Sequence, residues 1–409
     1  MRKLNTQDFC VATRTTSRQI NRHIALNLIR EHQPLSRAAL ASCMGVQRSV
    51  VSLLVNELIA EKLVYEGGSE ETRSRGPKPT SLFVRTESRL VIAIDVRFTK
   101  TYLMLSDFSG RQIALETFDT IFSPSELIKE LAPRVRQLLK VHEDAATCEG
   151  IGLAAPGIVE HRTGRILHAP MMGWRNVDLR DDLGAQTGLP VAIESAPKAC
   201  AMAQIWLSGN NATADALNFA YVMISDGVGV GAVTNGELLR GHDNAAGEFG
   251  HTPLNIDGPR CLCGLSGCWE AYTSNLATLS RYLGRTLSRT CLKNSSETAE
   301  QMLTIAEVIN RARAGDPRAV MAIQTTARYI GLGLGTIVAA INPARIYIGG
   351  EITAAWDFIE VTVRTALVER TLTEAAAQTP IEITDVEYPR LRGAVALVAA
   401  PTYALPRVA

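Results

Sequence analysis

His251, Cys261, Cys263 and Cys268 fall within eighteen residues of one another, with nine, one and four positions between them. Three thiolates and an imidazole are the donor set of a tetrahedral Zn²⁺ site. Four protein ligands close such a site and leave no position for a reacting water. The spacing therefore predicts a structural zinc that pins the segment between Gly247 and Glu270. The chain has eight cysteines, and the plainer alternative is a group of buried thiols. A second chemically apt set lies near the N-terminus: Gln47, Arg48, Ser49 and Ser52, followed by Arg75 and Lys78 in a Gly-, Ser- and Pro-rich stretch. Arginine and glutamine can hydrogen-bond base edges in a major groove, and free cations can meet phosphate or the minor groove.

Helices and a hairpin must position this second set. Ile20, Ile24, Leu28 and Ile29 recur at helical spacing and stop near Gln33 and Pro34, which predicts one amphipathic helix. Ser36 is placed to cap a second, short helix carrying Ala39 and Leu40, and Met44, Gly45 and Val46 form the turn after it. In a third helix Val51, Leu54, Val55 and Leu58 share a buried face, which leaves Gln47, Arg48, Ser49 and Ser52 at or near its exposed N-terminal end. Residues 63–66 and 82–85 read as short strands flanking a basic tip with Arg73, Arg75 and Lys78. Together these elements make a winged helix-turn-helix, mainly α, over residues 1–86. The alternative is a three-helix interaction domain whose charges are merely solvated.

Charge supports the DNA-binding reading. Net charge is +1 over 409 residues, but residues 1–89 carry fourteen Lys and Arg against eight Asp and Glu, leaving the remainder mildly acidic. A basic segment on an acidic body fits a nucleic-acid module joined to something else. The length allows two to four domains, and 46% hydrophobic with 20% charged residues excludes wholesale disorder. No apolar stretch reaches membrane-spanning length, and the polar first ten residues leave no room for a secretory signal. The expectation is a cytoplasmic protein without membrane insertion, in which clustered cysteines bind metal rather than form disulfides.

Beyond residue 87 strands and helices alternate, which defines an α/β class. A buried strand at residues 90–95 leads into Arg97 and Phe98, and a second strand follows at 102–105. A similar pass starts at 219–224 and enters the turn Ser225, Asp226, Gly227, Val228, Gly229. The two halves look duplicated. Helical patterns at residues 125–140, 317–340 and 392–400 lie between or after them.

These residues resemble the ROK family, whose members are bacterial sugar kinases or repressors related to NagC, Mlc and the xylose repressor. The resemblance spans nearly the whole chain. It rests on residues 95–100, on Ala155, Pro156 and Gly157, on residues 194–199, on Asp226 to Gly229, and on Gly247, Glu248, Phe249, Gly250 and His251 followed by the cysteines. It implies a two-lobed, actin-like (ribonuclease H-like) sugar-kinase fold with a cleft between the lobes. The first lobe would comprise residues 87–205 and 386–409, and the second residues 206–385, with the zinc site and an oligomerisation surface. It also implies that Gly157, Ser195, Glu248, His251 and Glu270 face a sugar; Glu248 and Glu270 would otherwise support the zinc loop.

The chain departs from the family's kinases where phosphoryl transfer is concerned. Asp95, Val96, Arg97, Phe98, Thr99 stands where the kinases have Asp-x-Gly-Gly-Thr, setting bulk where backbone must approach phosphate. Asp226 stands where Thr is common and would repel phosphate. Glu194, Ser195, Ala196 replaces a pattern with Asn-Asp, so the general base is missing, typically a loss of roughly 10² to 10⁴ in rate. No catalytic residues are therefore assigned. The expected function is a DNA-binding regulator, a repressor of carbohydrate-related genes, with a degenerate kinase body. That body would sense a sugar, a sugar phosphate or a protein partner, and a homodimer or homotetramer would bind an inverted-repeat operator in double-stranded DNA. The rival is an active ATP-dependent ROK sugar kinase.

Overall fold

The computed structural model describes residues 13–68, 80–142, 147–207, 217–288, 303–384 and 388–404. Arg75, Lys78 and the rest of the basic tip lie outside the described residues.

Three helices and three strands form the N-terminal unit: α1 (Arg14–His32), β1 (Leu35–Ser36), α2 (Arg37–Met44), α3 (Arg48–Ala60), β2 (Val64–Gly67) and β3 (Ser81–Val84). The strands pair antiparallel in the order β1-β3-β2. Local chemistry sets the boundaries. The Ser36 hydroxyl accepts from Ala39 N at 3.1 Å at the start of α2, and Gly45, at φ +65°, ends it in the left-handed conformation that glycine adopts without strain. Helix α3 buries Val51, Leu54, Val55 and Leu58 as its spacing predicts. Helix α1 differs from expectation. Ala25, Leu26 and Ile29 are its buried apolar residues, whereas Ile24 is 36% exposed. The reason is that α1 packs on two sides, with Asn27 donating to the carbonyl of Tyr403 at 2.8 Å and Arg30 lying 4.6 Å over the Tyr403 ring.

The body contains two five-stranded sheets of the same design. In the first, β4 (Arg89–Val96), β5 (Lys100–Asp107), β6 (Gln112–Asp119), β7 (Thr147–Ala155) and β11 (Val191–Ser195) lie in the order β11-β7-β4-β5-β6. A small sheet of β8 (Ile158–Val159), β9 (Ile166–Ala169) and β10 (Trp174–Val177) is inserted between β7 and β11. In the second, β12 (Phe219–Ile224), β13 (Val228–Thr234), β14 (Glu237–Leu238), β15 (Arg345–Gly349) and β16 (Ile381–Ile383) lie in the order β14-β13-β12-β15-β16. In both, the first strand pairs antiparallel with the second and parallel with the fourth. This is the duplication anticipated from the two strand-turn passes.

Each sheet is covered on both faces, which is why its first strand reads as an unbroken apolar run. Along β4, Leu90, Ile92 and Ile94 share a cluster with Leu127, Leu131 and Val135 of the helix Pro124–Val141. Val91 and Ala93 face the opposite way, among Leu391, Ala394 and Val395 of the C-terminal helix Pro389–Tyr403. That second cluster runs on without a break into Ala25, Leu26, Val51 and Leu58, so the winged helix shares an apolar core with the first lobe. The C-terminal helix lies close against the helix Ala196–Leu207: a Cβ on Gly393 would meet the Ala199 carbonyl carbon at 2.6 Å.

Candidate functional site

The cysteine cluster sits on the loop between the short helical turn Phe249–His251 and the helix Glu270–Thr273. Isolated bridges at Pro253 with Cys268 and at Arg260 with Ser266 fold the loop back on itself. Gly267, at φ +72°, permits the closest approach, since a Cβ there would meet the Asn255 carbonyl oxygen at 1.6 Å. The ligand atoms of His251, Cys261, Cys263 and Cys268 all lie within 4.8 Å of one another. Cys263 Sγ is 3.7 Å from Cys268 Sγ, and Cys261 Sγ is 3.8 Å from His251 Nδ1. An ideal tetrahedron with metal–sulfur bonds of about 2.3 Å has edges near 3.7 Å. Burial, and then the Glu270 carboxylate, raises the Cys261 thiol, while burial, and then Cys263, pushes Cys268 up to about 11. Three adjacent thiols can ionise together here only against a cation, so donor set and spacing fit a four-coordinate metal ion.

Beside this cluster a cleft opens between the lobes. Gly157, Ser195, Glu248, His251 and Glu270, all expected to face a sugar, line it together, with Met171 and Met172 adding apolar wall. With the open solvent at its mouth included, the space of the cleft is about 880 Å³. Gly157 holds φ +79°, and a Cβ there would lie 2.1 Å from the His168 carbonyl oxygen, so the backbone itself forms that wall. The Ser195 hydroxyl is buried without a hydrogen-bond partner among the described residues. Burial raises the Glu248 carboxyl, against the pull of Lys198 and His251. Glu270 joins the two sites: its Oε2 accepts from Val228 N at 2.9 Å and its Oε1 lies 3.4 Å from Cys261 Sγ. His251 likewise faces both, with Nδ1 toward Cys261 and the ring on the cleft wall.

At the positions corresponding to the phosphate loops the cleft holds its own ion network. The Arg97 Nε donates to Asp95 Oδ2 at 2.6 Å, and the guanidinium lies 4.5 Å over the Tyr102 ring. Arg390, from the start of the C-terminal helix, reaches Asp95 Oδ1 at 3.9 Å with its own side chain only 12% exposed. The charges of Asp95, Glu351 and Asp226 overcome the cost of burying Arg390 and raise its pKa. Burial works to raise Glu351, but Arg390, Asn275 and Ser225 outweigh it and hold it low. Asp226 is raised by burial and then by Glu351. Phe98 differs from expectation. It is packed in the first-lobe core, edge to face with Phe122 at 5.3 Å, and only borders the cleft. Ala196 also borders the cleft and offers no proton acceptor.

Arg390 and Glu351 carried no signal in the sequence, where each is one charge among many. In the N-terminal unit, Gln47, Arg48 and Ser49 are exposed at the start of α3, and Arg48 has no ion pair among the described residues. Ser52 is half-buried, with its carbonyl accepting from Arg37 at 3.3 Å.

A helix-turn-helix built onto a duplicated, two-lobed sugar-kinase body defines the class of protein. The family follows from sequence: the ROK family profile matches residues 91–400, and this chain belongs to the ROK family. It is 29% identical over 364 residues to the xylose repressor of Bacillus subtilis strain 168, covering 88% of this chain and 89% of that protein. It is 28% identical over 285 residues to the glucokinase of Streptomyces coelicolor, covering 67% of this chain and 86% of the enzyme. The crystal structure of a ROK family transcriptional regulator, a homologue of the Escherichia coli Mlc protein, superposes with a TM-score of 0.79 at 23% identity, over 95% of this chain and 97% of that one. No single helix among the described residues is long and apolar enough to cross a membrane.

Proposed function

We propose that this protein is a sugar-responsive transcriptional repressor that binds operator DNA through α3 and the wing and does not phosphorylate sugar. The observation that carries the reading is the winged helix-turn-helix sharing one core with a kinase-type body whose cleft has an internal ion network where phosphate would bind. The xylose repressor resemblance supports it, since it extends over more of the chain than the glucokinase resemblance does. The C-terminal helix supports it further. Arg390 at its start lines the cleft and Tyr403 at its end touches α1, so a rod of about 22 Å links ligand site to DNA-binding unit. Its packing on Val91 and Ala93 also favours assigning residues 386–409 to the first lobe. In this reading the cysteine cluster holds a structural Zn²⁺, and a dimer or tetramer presents paired helices to an inverted repeat.

Duplexes selected by the protein from a random-sequence library test the reading. A recurring inverted repeat is expected. Arg48→Ala should relax base preference at one position, whereas Lys78→Ala should weaken binding to all sequences and reduce its salt dependence. If no sequence is enriched, or if sugar-dependent ADP release persists after purification and is lost on mutating the cleft, the repressor reading fails. Calorimetry with a panel of sugars and sugar phosphates tests the cleft. Binding should fall at least tenfold in Glu248→Gln and should change with operator DNA present, since coupling between two ligands is reciprocal.

A further inference from the structure

The exposed sector of α3 is not polar throughout. Ser49, Leu53, Asn56 and Ala60 follow one another at helical spacing along the side opposite the buried Val51, Leu54, Val55 and Leu58. Leu53 is 62% exposed, and Val50, its neighbour one turn earlier, is 37% exposed. Asn56 and Glu57, the polar side chains one turn beyond Leu53, are already engaged. Asn56 Oδ1 accepts from Arg37 at 2.9 Å, Arg37 is itself paired with Glu66, and Glu57 is paired with Arg18. Beyond the first turn, then, α3 presents methyl groups to whatever occupies its exposed face.

Resting on the reading of α3 as the helix that enters DNA, we infer that Leu53, with Val50 beside it, is a specificity-determining residue that recognises the C5 methyl group of thymine. Two observations argue for DNA as the partner: the surplus of basic residues over residues 1–89, which suits a polyanion, and the exposed Arg48 guanidinium, without an ion pair among the described residues, at the N-terminal end of the same helix. In the major groove thymine is the base that offers a methyl group, and apolar side chains are its natural contact. Leu53 lies five residues beyond Arg48, about 7.5 Å along the helix axis. With base pairs about 3.4 Å apart, the thymine stands about two base steps from the base that Arg48 reads.

The experiment uses the full chain and the inverted repeat it selects from random duplexes, with each thymine of a half-site replaced singly by uracil, which lacks only the methyl group. One replacement, about two steps from the position relaxed by Arg48→Ala, is expected to weaken binding by the parent roughly fourfold, the value of one buried methyl group. Leu53→Ala, at an exposed position that leaves the fold intact, should bind the thymine and uracil duplexes alike while keeping the salt dependence of the parent. Equal binding of all uracil duplexes by the parent overturns the inference, as does a Leu53→Ala protein that still distinguishes uracil, or an operator with no thymine at that spacing. Failure to select any sequence would instead overturn the DNA-binding reading itself.

Discussion

Exchange of Cys263 for serine is expected to weaken zinc binding roughly a hundredfold, so that a chelator strips the metal from the variant well before the parent, and to lower the melting temperature by several degrees. The loop from Thr252 to Trp269 is anchored at its end by the fully buried Trp269, but its outer part, with Ile256, Leu262 and Leu265 exposed, adds little apolar packing. Its internal backbone bonds include Leu254 N to Gly267 O and Cys261 N to Leu265 O, while Ile256 and Leu265 point outward at 76% and 60% exposure. Structural zinc sites in small peptides contribute about 10–16 kcal/mol of apparent binding free energy. A quarter of that, for one ligand of four, would be about 3 kcal/mol, more than most surface substitutions change. The effect should spread to the cleft, because His251 and Glu270 serve both sites, so sugar binding should weaken along with zinc. Cys43→Ser is the control: that cysteine is exposed, on α2, away from the cluster. Metal analysis after chelator treatment and thermal unfolding of the two variants decide the matter. A Cys263→Ser protein that keeps its zinc as well as the parent does, with an unchanged melting temperature, would remove the metal site from the account.

How much of this was legible beforehand depended on how far apart the partners lie in the chain. The residues of the His and Cys cluster sit within one loop, so residue type and spacing were enough to bring them together on paper. Ser36 and Gly45 fix the ends of α2 through contacts within four residues, so the helix-turn-helix was legible too. The sequence reading of α1 missed its face because periodicity reports one buried side, and this helix is held on two, by α3 and by the C-terminal helix. Arg390 was missed because its partners Asp95, Asp226 and Glu351 come from strands and turns far away in the chain. Their meeting depends on strand order, which no local pattern encodes. The two-lobed fold was reached only through the family resemblance, and the sheet orders were not read at all; the residues gave the first strands and the turns after them.

The same network sets the second large expectation, that Arg390→Met destabilises the chain by about 3–5 kcal/mol at neutral pH, the range for removing one partner of a buried ion cluster. Methionine fills much of the volume, so lost packing contributes little and the cost is electrostatic. Asp95, at 0% side-chain exposure, would keep only Arg97; Glu351 would keep the neutral donors Asn275 and Ser225; and Asp226 would lose a cation that offsets its burial. Cys200 and Tyr221, which also feel Arg390, are both raised by burial first, Cys200 to about 12, and both stay neutral. The pH dependence follows from the directions of the shifts. In the parent, Glu351 is held low, so its contribution is present above the ordinary carboxylate range and is lost as pH falls through its depressed value. Asp226 is raised, so it works the other way and gains stability as pH falls. Without Arg390 the Glu351 and Asp226 carboxyls, both of which it holds down, should move upward, and the folded variant then binds protons more readily than the folded parent does. The variant should therefore recover stability between neutral pH and about pH 5, where the parent changes less. Arg390→Lys should lie between the two, keeping the charge but not the planar fork. Denaturant unfolding of the three proteins at pH 7.5 and 5.5 reads this directly. A deficit that is the same at both pH values would mean that Arg390 acts through packing, and that the cleft's phosphate end is closed by bulk rather than by charge.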